Sequence, residues 1–265
     1  MPHVLREGCR LNYSVEGNPQ APALMFSNSL GTTHELWAPQ VAGLASAFRV
    51  IRYDTRGHGG SDAPKGAYTL QMLGLDALAI LDAAGATRAH VCGLSLGGLT
   101  AMWLGVHAPD RIESLILAST GARIGNALLW QERIELVKSS GLRPLGKAAM
   151  DRWFTEAFRT AHPDTVRRYR QMLESCPAEG YLSCCAVLRD ADLRGEIGSI
   201  AMPALVLAGT HDPVTPPADA DAIRSRIRHA RVTLLDAAHL ANVEQPDAFN
   251  DCVVAFINEK GRLHG

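Results

Sequence analysis

The sequence predicts an α/β fold: a mostly parallel central sheet flanked by helices, with a helical cap inserted late in the sheet. Three observations carry this. Short apolar runs recur at Pro22 to Phe26, Phe48 to Asp54, Ala89 to Gly93, Ile112 to Ala118 and Pro203 to Ala208, as strands buried on both faces require. Across residues 89–118 a strand, a helix and a strand follow at the intervals of a βαβ unit, whose strands lie parallel. Between about Gly121 and Ser199 the strand signals stop, and helical spacing with Trp130 and Trp153 takes over.

Taken in order, Leu11 to Val15 alternates as a half-buried strand does, and the apolar run ending at Phe26 gives way to Ser27-Asn28-Ser29. A helix is expected around Glu35 to Leu44. The strand from Phe48 to Asp54 is then broken by the turn-rich Arg56-Gly57-His58-Gly59-Gly60-Ser61. Thr69 reads as the N-cap of a helix reaching Ala84, with Leu70, Leu73, Ala77, Ile80 and Leu81 at spacings of three and four and Gly85 as its stop. A strand from Ala89 to Gly93, a helix from Leu96 to His107 and a strand from Ile112 to Ala118 follow. After the helical stretch, strands are expected at Pro203 to Ala208 and Arg231 to Leu235, with helices near Pro217 to Arg228 and Pro246 to Glu259. No internal repeat or low-complexity linker occurs. The expected division is therefore a body of residues 1–120 and 200–265 carrying a cap of residues 121–199.

Composition excludes several function classes. A chain of 265 residues is long enough to bury roughly 70–75% of its unfolded surface in one core. With 47% hydrophobic and 20% charged residues it is neither disordered nor fibrous. Lys+Arg number 26 against 27 Asp+Glu, with no run of five like charges, which argues against nucleic-acid binding. No apolar stretch is long enough to span a membrane, and Met1 to Gly8 has no signal-peptide core, so a cytoplasmic protein is expected. Six cysteines without CxxC spacing read as free thiols, and no HExxH motif marks a metal site. No cofactor is expected.

The chemistry is written in Gly93-Leu94-Ser95-Leu96-Gly97, a G-x-S-x-G pattern between a strand and a helix. Ser95 must pass through a strained turn there, and only glycines at 93 and 97 let the strand and helix crowd around it. Its hydroxyl then stands over a helix N-terminus, where the N–H of Leu96 can serve an oxyanion. An acid and a histidine should follow, each after a later strand. Asp212 lies in the turn Thr210-His211-Asp212-Pro213, and His239 follows Asp236-Ala237-Ala238. Asp212 would orient the imidazole and His239 would take the Ser95 proton. Asp236 is a rival acid on the His239 loop, while His58 and His211 read as structural. A second oxyanion donor belongs to the loop after an early strand, which makes the N–H of Leu30 the candidate.

These residues resemble the α/β-hydrolase superfamily over nearly the whole chain: the Asp54 to Ser61 turn, the elbow at Ser95, the late Asp212 and the late His239. The resemblance implies an α/β-hydrolase fold with the cap inserted after the sixth strand. More narrowly, Phe26 to Gly31, Gly93 to Gly98 and Ser119-Thr120-Gly121-Ala122 look like the 3-oxoadipate enol-lactonases of aromatic catabolism. Many superfamily members place His-Gly where this chain has Asn28-Ser29, a departure that suits the enol-lactonase branch.

That narrower resemblance implies a small-molecule partner, a five-membered enol-lactone carrying a carboxylate. The cap then has to bind the carboxylate. Arg133 on a helix, with Trp130 three residues before it on the same face, is the expected clamp, and Trp153, next to Arg152, the expected wall. The rival enzymes are a carboxylesterase, a perhydrolase or a C–C hydrolase with the same three residues. From another class stands a non-turnover small-molecule receptor on a hydrolase body. A homo-oligomer is left open.

Overall fold

The computed structural model describes residues 1–261, so the last four residues of the expected body range 200–265 lie outside the described residues. The strands are β1 (His3–Arg6), β2 (Cys9–Glu16), β3 (Ala23–Ser27), β4 (Arg49–Tyr53), β5 (Ala89–Leu94), β6 (Ile112–Ala118), β7 (Ala204–Gly209) and β8 (Ala230–Leu235). They form one sheet in the order β1-β2-β4-β3-β5-β6-β7-β8. β3 to β8 pair in parallel, and β1 and β2 add an antiparallel edge. Every residue of β5 and β7 is buried, which is why both read as unbroken apolar runs rather than as an alternation. β1 was not anticipated: its four residues alternate exposed and half-buried at the sheet edge and carry little periodic signal.

Helices α1 (Ala38–Leu44), α2 (Leu70–Ala83) and α3 (Leu96–His107) connect the first strands. The expected helix from Glu35 begins instead as a 3-10 turn, His34–Trp37, before α1. Pro39 is the cause, since it has no N–H for the carbonyl of Glu35 and its ring would crowd that carbonyl in an α-helical turn. Thr69 caps α2 as expected, its hydroxyl accepting from the N–H of Met72 at 3.1 Å.

Between β6 and β7 the chain carries α4 (Ala127–Ser140), α5 (Gly146–Trp153), α6 (Glu156–Ala161), α7 (Pro163–Glu174) and α8 (Ala178–Asp190). α4 packs along α8, and α5 packs on α7. The body closes with α9 (Pro217–Arg224), the short α10 (Ala241–Glu244) and α11 (Pro246–Gly261), the last packing on α1.

The turn after β4 is held by buried charge. Arg56 places its guanidinium on the Asp76 carboxylate of α2, with Nη2 2.6 Å from Oδ1, and both side chains are almost fully buried. Arg6 of β1 adds a second cation at 3.0 Å. Removing one partner of a buried pair strands the other charge. Asp76→Ala is therefore expected to cost about 3–5 kcal/mol of unfolding free energy, read as a lower urea midpoint at unchanged slope; an unchanged midpoint would refute it.

Candidate active site

The turn at Ser95 is a backbone device. Ser95 sits between β5 and α3 at φ 57° and ψ −112°, a conformation that non-glycine residues adopt only where surroundings impose it. Its N–H donates to the carbonyl of Ala118, while its own carbonyl accepts from the N–H of Gly98 and the hydroxyl of Thr120. The flanking glycines are required sterically. A Cβ on Gly97 would lie 2.1 Å from the carbonyl oxygen of Ser27, and one on Gly93 would lie 2.0 Å from that of Gly97. Both clashes are with backbone, which cannot rotate away.

Ser95 lines a cavity of about 250 Å³ together with residues that follow three further strands: Ser29 and Leu30 after β3, Pro213 and Val214 after β7, and His239 after β8. That volume lies just below the range for drug-sized ligands, so the cavity suits a small molecule. His239 Nδ1 lies 2.8 Å from Asp212 Oδ2, with both side chains buried. The other contacts of Asp212 are all donors: the N–H groups of Val214 and Thr215 on Oδ1 and the Thr215 hydroxyl on Oδ2. Burial pushes the Asp212 carboxyl up, but His239 and these donors outweigh it, so its pKa falls below the ordinary carboxylate value. Asp236, the rival acid, is exposed and pairs instead with His211 at 2.9 Å.

Two backbone donors, that of Leu96 next to Ser95 and that of Leu30 in the cavity wall, are without partners among the described residues, the arrangement an oxyanion requires. The Leu30 loop is anchored by Asn28. Its Nδ2 donates to the carbonyl of Tyr53 at 2.7 Å, and its Oδ1 accepts the indole N–H of Trp37 at 2.9 Å. Asn28 thus has a structural duty at the position where the sequence departs from His-Gly.

The far wall of the cavity comes from the helices between β6 and β7. Trp130, Arg133, Arg152, Trp153 and Tyr181 all line it, so the three residues expected there from the sequence are brought to the same space as Ser95. The Trp130 indole donates to the carbonyl of Ile124 at 2.7 Å, which fixes its plane. Arg133 lies beside the Tyr181 hydroxyl, and burial pushes that phenol well above its ordinary pKa, so it stays protonated. Burial and the neighbouring Arg133 both lower the Arg152 guanidinium below its usual value. Two cations therefore share one cavity, and none of its lining residues is acidic.

Arg152 as a second cation and Tyr181 as the neighbour of Arg133 were not singled out from the sequence. Nor was Glu244, whose carboxylate accepts from the N–H of Ala238 beside His239 and from the N–H and hydroxyl of Thr155 beside Trp153. Only the packing of α10 against the end of α5 makes these residues neighbours. No linear spacing carries that signal.

Fold and site together define a hydrolase body with a serine elbow, a buried Asp-His pair and two free backbone donors. The chain belongs to the alpha/beta hydrolase fold family, whose sequence model matches residues 22–246. It is 45% identical over 245 residues to 3-oxoadipate enol-lactonase 2 of Acinetobacter baylyi, covering 92% of each chain. To 3-oxoadipate enol-lactonase 1 of the same organism it is 42% identical, over 95% of this chain and 94% of that one. The solved enol-lactonase of Burkholderia xenovorans superposes with a TM-score of 0.95 at 42% identity, over 97% of this chain and 100% of the other.

Proposed function

We propose that this protein hydrolyses 3-oxoadipate enol-lactone to 3-oxoadipate, with Ser95, Asp212 and His239 as its catalytic triad. The observation that carries the substrate is the likeness, along more than nine-tenths of the chain, to two proteins named for that reaction. The doubly cationic cavity supports it, because the lactone carries a carboxylate that Arg133 and Arg152 can hold while Trp130 and Trp153 wall the flat ring.

In this reading Ser95 Oγ attacks the lactone carbonyl as His239 takes its proton, and the N–H groups of Leu30 and Leu96 hold the oxyanion. The ring C–O bond breaks, His239 returns the proton to the departing enol oxygen, and the enol tautomerises to a ketone. Tautomerisation makes ring opening hard to reverse. Water, deprotonated by His239, then attacks the acyl-enzyme ester, and Ser95 leaves with the proton. Residues 121–199 act as the cap that reads the carboxylate, over a body of residues 1–120 and 200–265. A cytoplasmic location fits the six free cysteines, and no helix among the described residues is long and apolar enough to cross a membrane.

The deciding experiment compares kcat/KM for 3-oxoadipate enol-lactone and for p-nitrophenyl acetate. About 10⁵ M⁻¹s⁻¹ or more on the lactone, with weak activity on the ester, is expected of a dedicated enzyme. The opposite preference would discard the substrate, and turnover of neither would favour a receptor. Arg133→Ala and Arg152→Ala should each raise KM for the lactone about 10- to 100-fold, the worth of a charge-assisted hydrogen bond, and leave the uncharged ester unaffected. An unchanged KM in both would move the carboxylate site elsewhere.

A further inference from the structure

His58 sits behind the Leu30 loop and takes no part in the mechanism above. It is 1% exposed, and its Nε2 accepts the N–H of Gly31 at 3.0 Å. On its other side Nδ1 lies 3.3 Å from the carbonyl of Arg56, so the ring carries its proton on Nδ1 and presents Nε2 as an acceptor. Burial lowers its pKa, which keeps the ring neutral.

The consequence follows from peptide geometry. The Leu30 N–H lies in the rigid Ser29–Leu30 peptide plane, and the Leu30–Gly31 plane restrains it through φ and ψ of Leu30, the only free rotations between the two planes. In the preceding plane the carbonyl of Ser29 is held by the N–H of Thr32 at 3.2 Å and by its hydroxyl at 2.8 Å. In the following plane the N–H of Gly31 is held by His58. Gly31 itself is at φ +76° and leaves no room for a Cβ beside Leu173 of α7 and Tyr181 of α8. His58 is in turn fixed by the turn that Arg56 anchors on Asp76, its N–H donating to the carbonyl of Thr55 at 2.9 Å.

We propose that His58 is a positioning residue for catalysis, a neutral acceptor that holds the Leu30–Gly31 peptide so that the Leu30 N–H points at the oxyanion. This rests on the reading of Ser95 as nucleophile and Leu30 as oxyanion donor. Such a residue acts on the transition state and not on substrate binding, so its loss lowers kcat and spares KM.

The test uses p-nitrophenyl acetate and a simple alkylboronic acid, which forms a tetrahedral anion on a serine, so it does not depend on the lactone. His58→Phe fills the space without an acceptor, whereas His58→Gln supplies an acceptor for Gly31 and a donor for Arg56. His58→Phe should lower kcat about 10- to 100-fold, as misplacing a donor does, leave KM within about twofold, and weaken the boronate by a factor similar to the kcat loss. His58→Gln should recover most of both losses. Equal losses in the two variants, or a change confined to KM, would overturn the proposal. The ¹⁵N spectrum of the wild-type imidazole provides a check that needs no variant: a proton on Nε2 cannot coexist with the Gly31 bond and would also overturn it. Ester turnover that survives Ser95→Ala would instead remove the nucleophile reading on which the proposal rests.

Discussion

Replacing Ser95 by alanine is expected to lower kcat roughly 10⁴- to 10⁶-fold, the range over which losing a triad nucleophile acts, while the fold survives. The fold should survive because everything holding the elbow is backbone. The N–H and carbonyl of residue 95 keep their bonds to Ala118, Gly98 and Thr120, and the Ser95 hydroxyl makes no hydrogen bond among the described residues. The strain at φ 57° is the same for alanine as for serine. A stability change within about 1 kcal/mol is therefore expected, of either sign. Steady-state turnover beside a thermal melt checks both halves. Wild-type turnover in a folded variant would place the nucleophile elsewhere, and mass spectrometry of the quenched wild type should show the acyl group on the peptide containing Ser95.

Asp212→Asn should be nearly as severe, about 10⁴-fold in kcat, for a reason the hydrogen bonds supply. Oδ1 accepts two backbone N–H groups, from Val214 and Thr215. An asparagine must keep its oxygen there, because its amide nitrogen cannot accept from either. The NH₂ is then forced into the place of Oδ2 and donates to His239 Nδ1, 2.8 Å away in the wild type. The Thr215 hydroxyl can rotate to accept from it. Imidazole that accepts at Nδ1 carries its proton on Nε2, and such a ring cannot take the proton of Ser95. Near-wild-type kcat in Asp212→Asn would show that another carboxylate orients the ring.

The same carboxylate ties stability to pH. The Asp212 carboxyl titrates lower in the folded chain than in the unfolded one, so its contribution is present above the ordinary carboxylate range near pH 4. That contribution is lost as pH falls through the lowered folded value. Wild type and Asp212→Asn should therefore converge in melting temperature as pH drops from about 5 toward 3, and a gap that holds constant would count against the linkage.

The parts of the site that could be read in the sequence are those whose signal is local. Ser95 is visible because an elbow needs glycines at fixed offsets, and Asp212 and His239 because each follows a run of strand residues by a few positions. Leu30 and Leu96, proposed to act through their main-chain N–H groups, could be found only by position, since side-chain identity says nothing about a backbone donor. The helix expected around Glu35 to Leu44 differs at its start, where Pro39 leaves a 3-10 turn at His34–Trp37 before α1. β1 was missed because an edge strand of four residues has almost no pattern to show.

Sequence alone determined the strands of the sheet other than β1, the elbow and the order of the three polar residues, because periodicity and turn chemistry are properties of neighbours along the chain. Tertiary structure decided what those residues face. Asp212 rather than Asp236 meets His239, since one is buried beside it and the other is spent on His211 at the surface. Arg152 joins Arg133, Tyr181 lies beside it, Glu244 ties the His239 loop to the Trp153 wall, and His58 reaches Gly31 across 27 positions. Each of these depends on how the helices between β6 and β7, or a turn after β4, pack on a distant loop, and close packing of elements far apart in the chain leaves no periodic trace in the sequence.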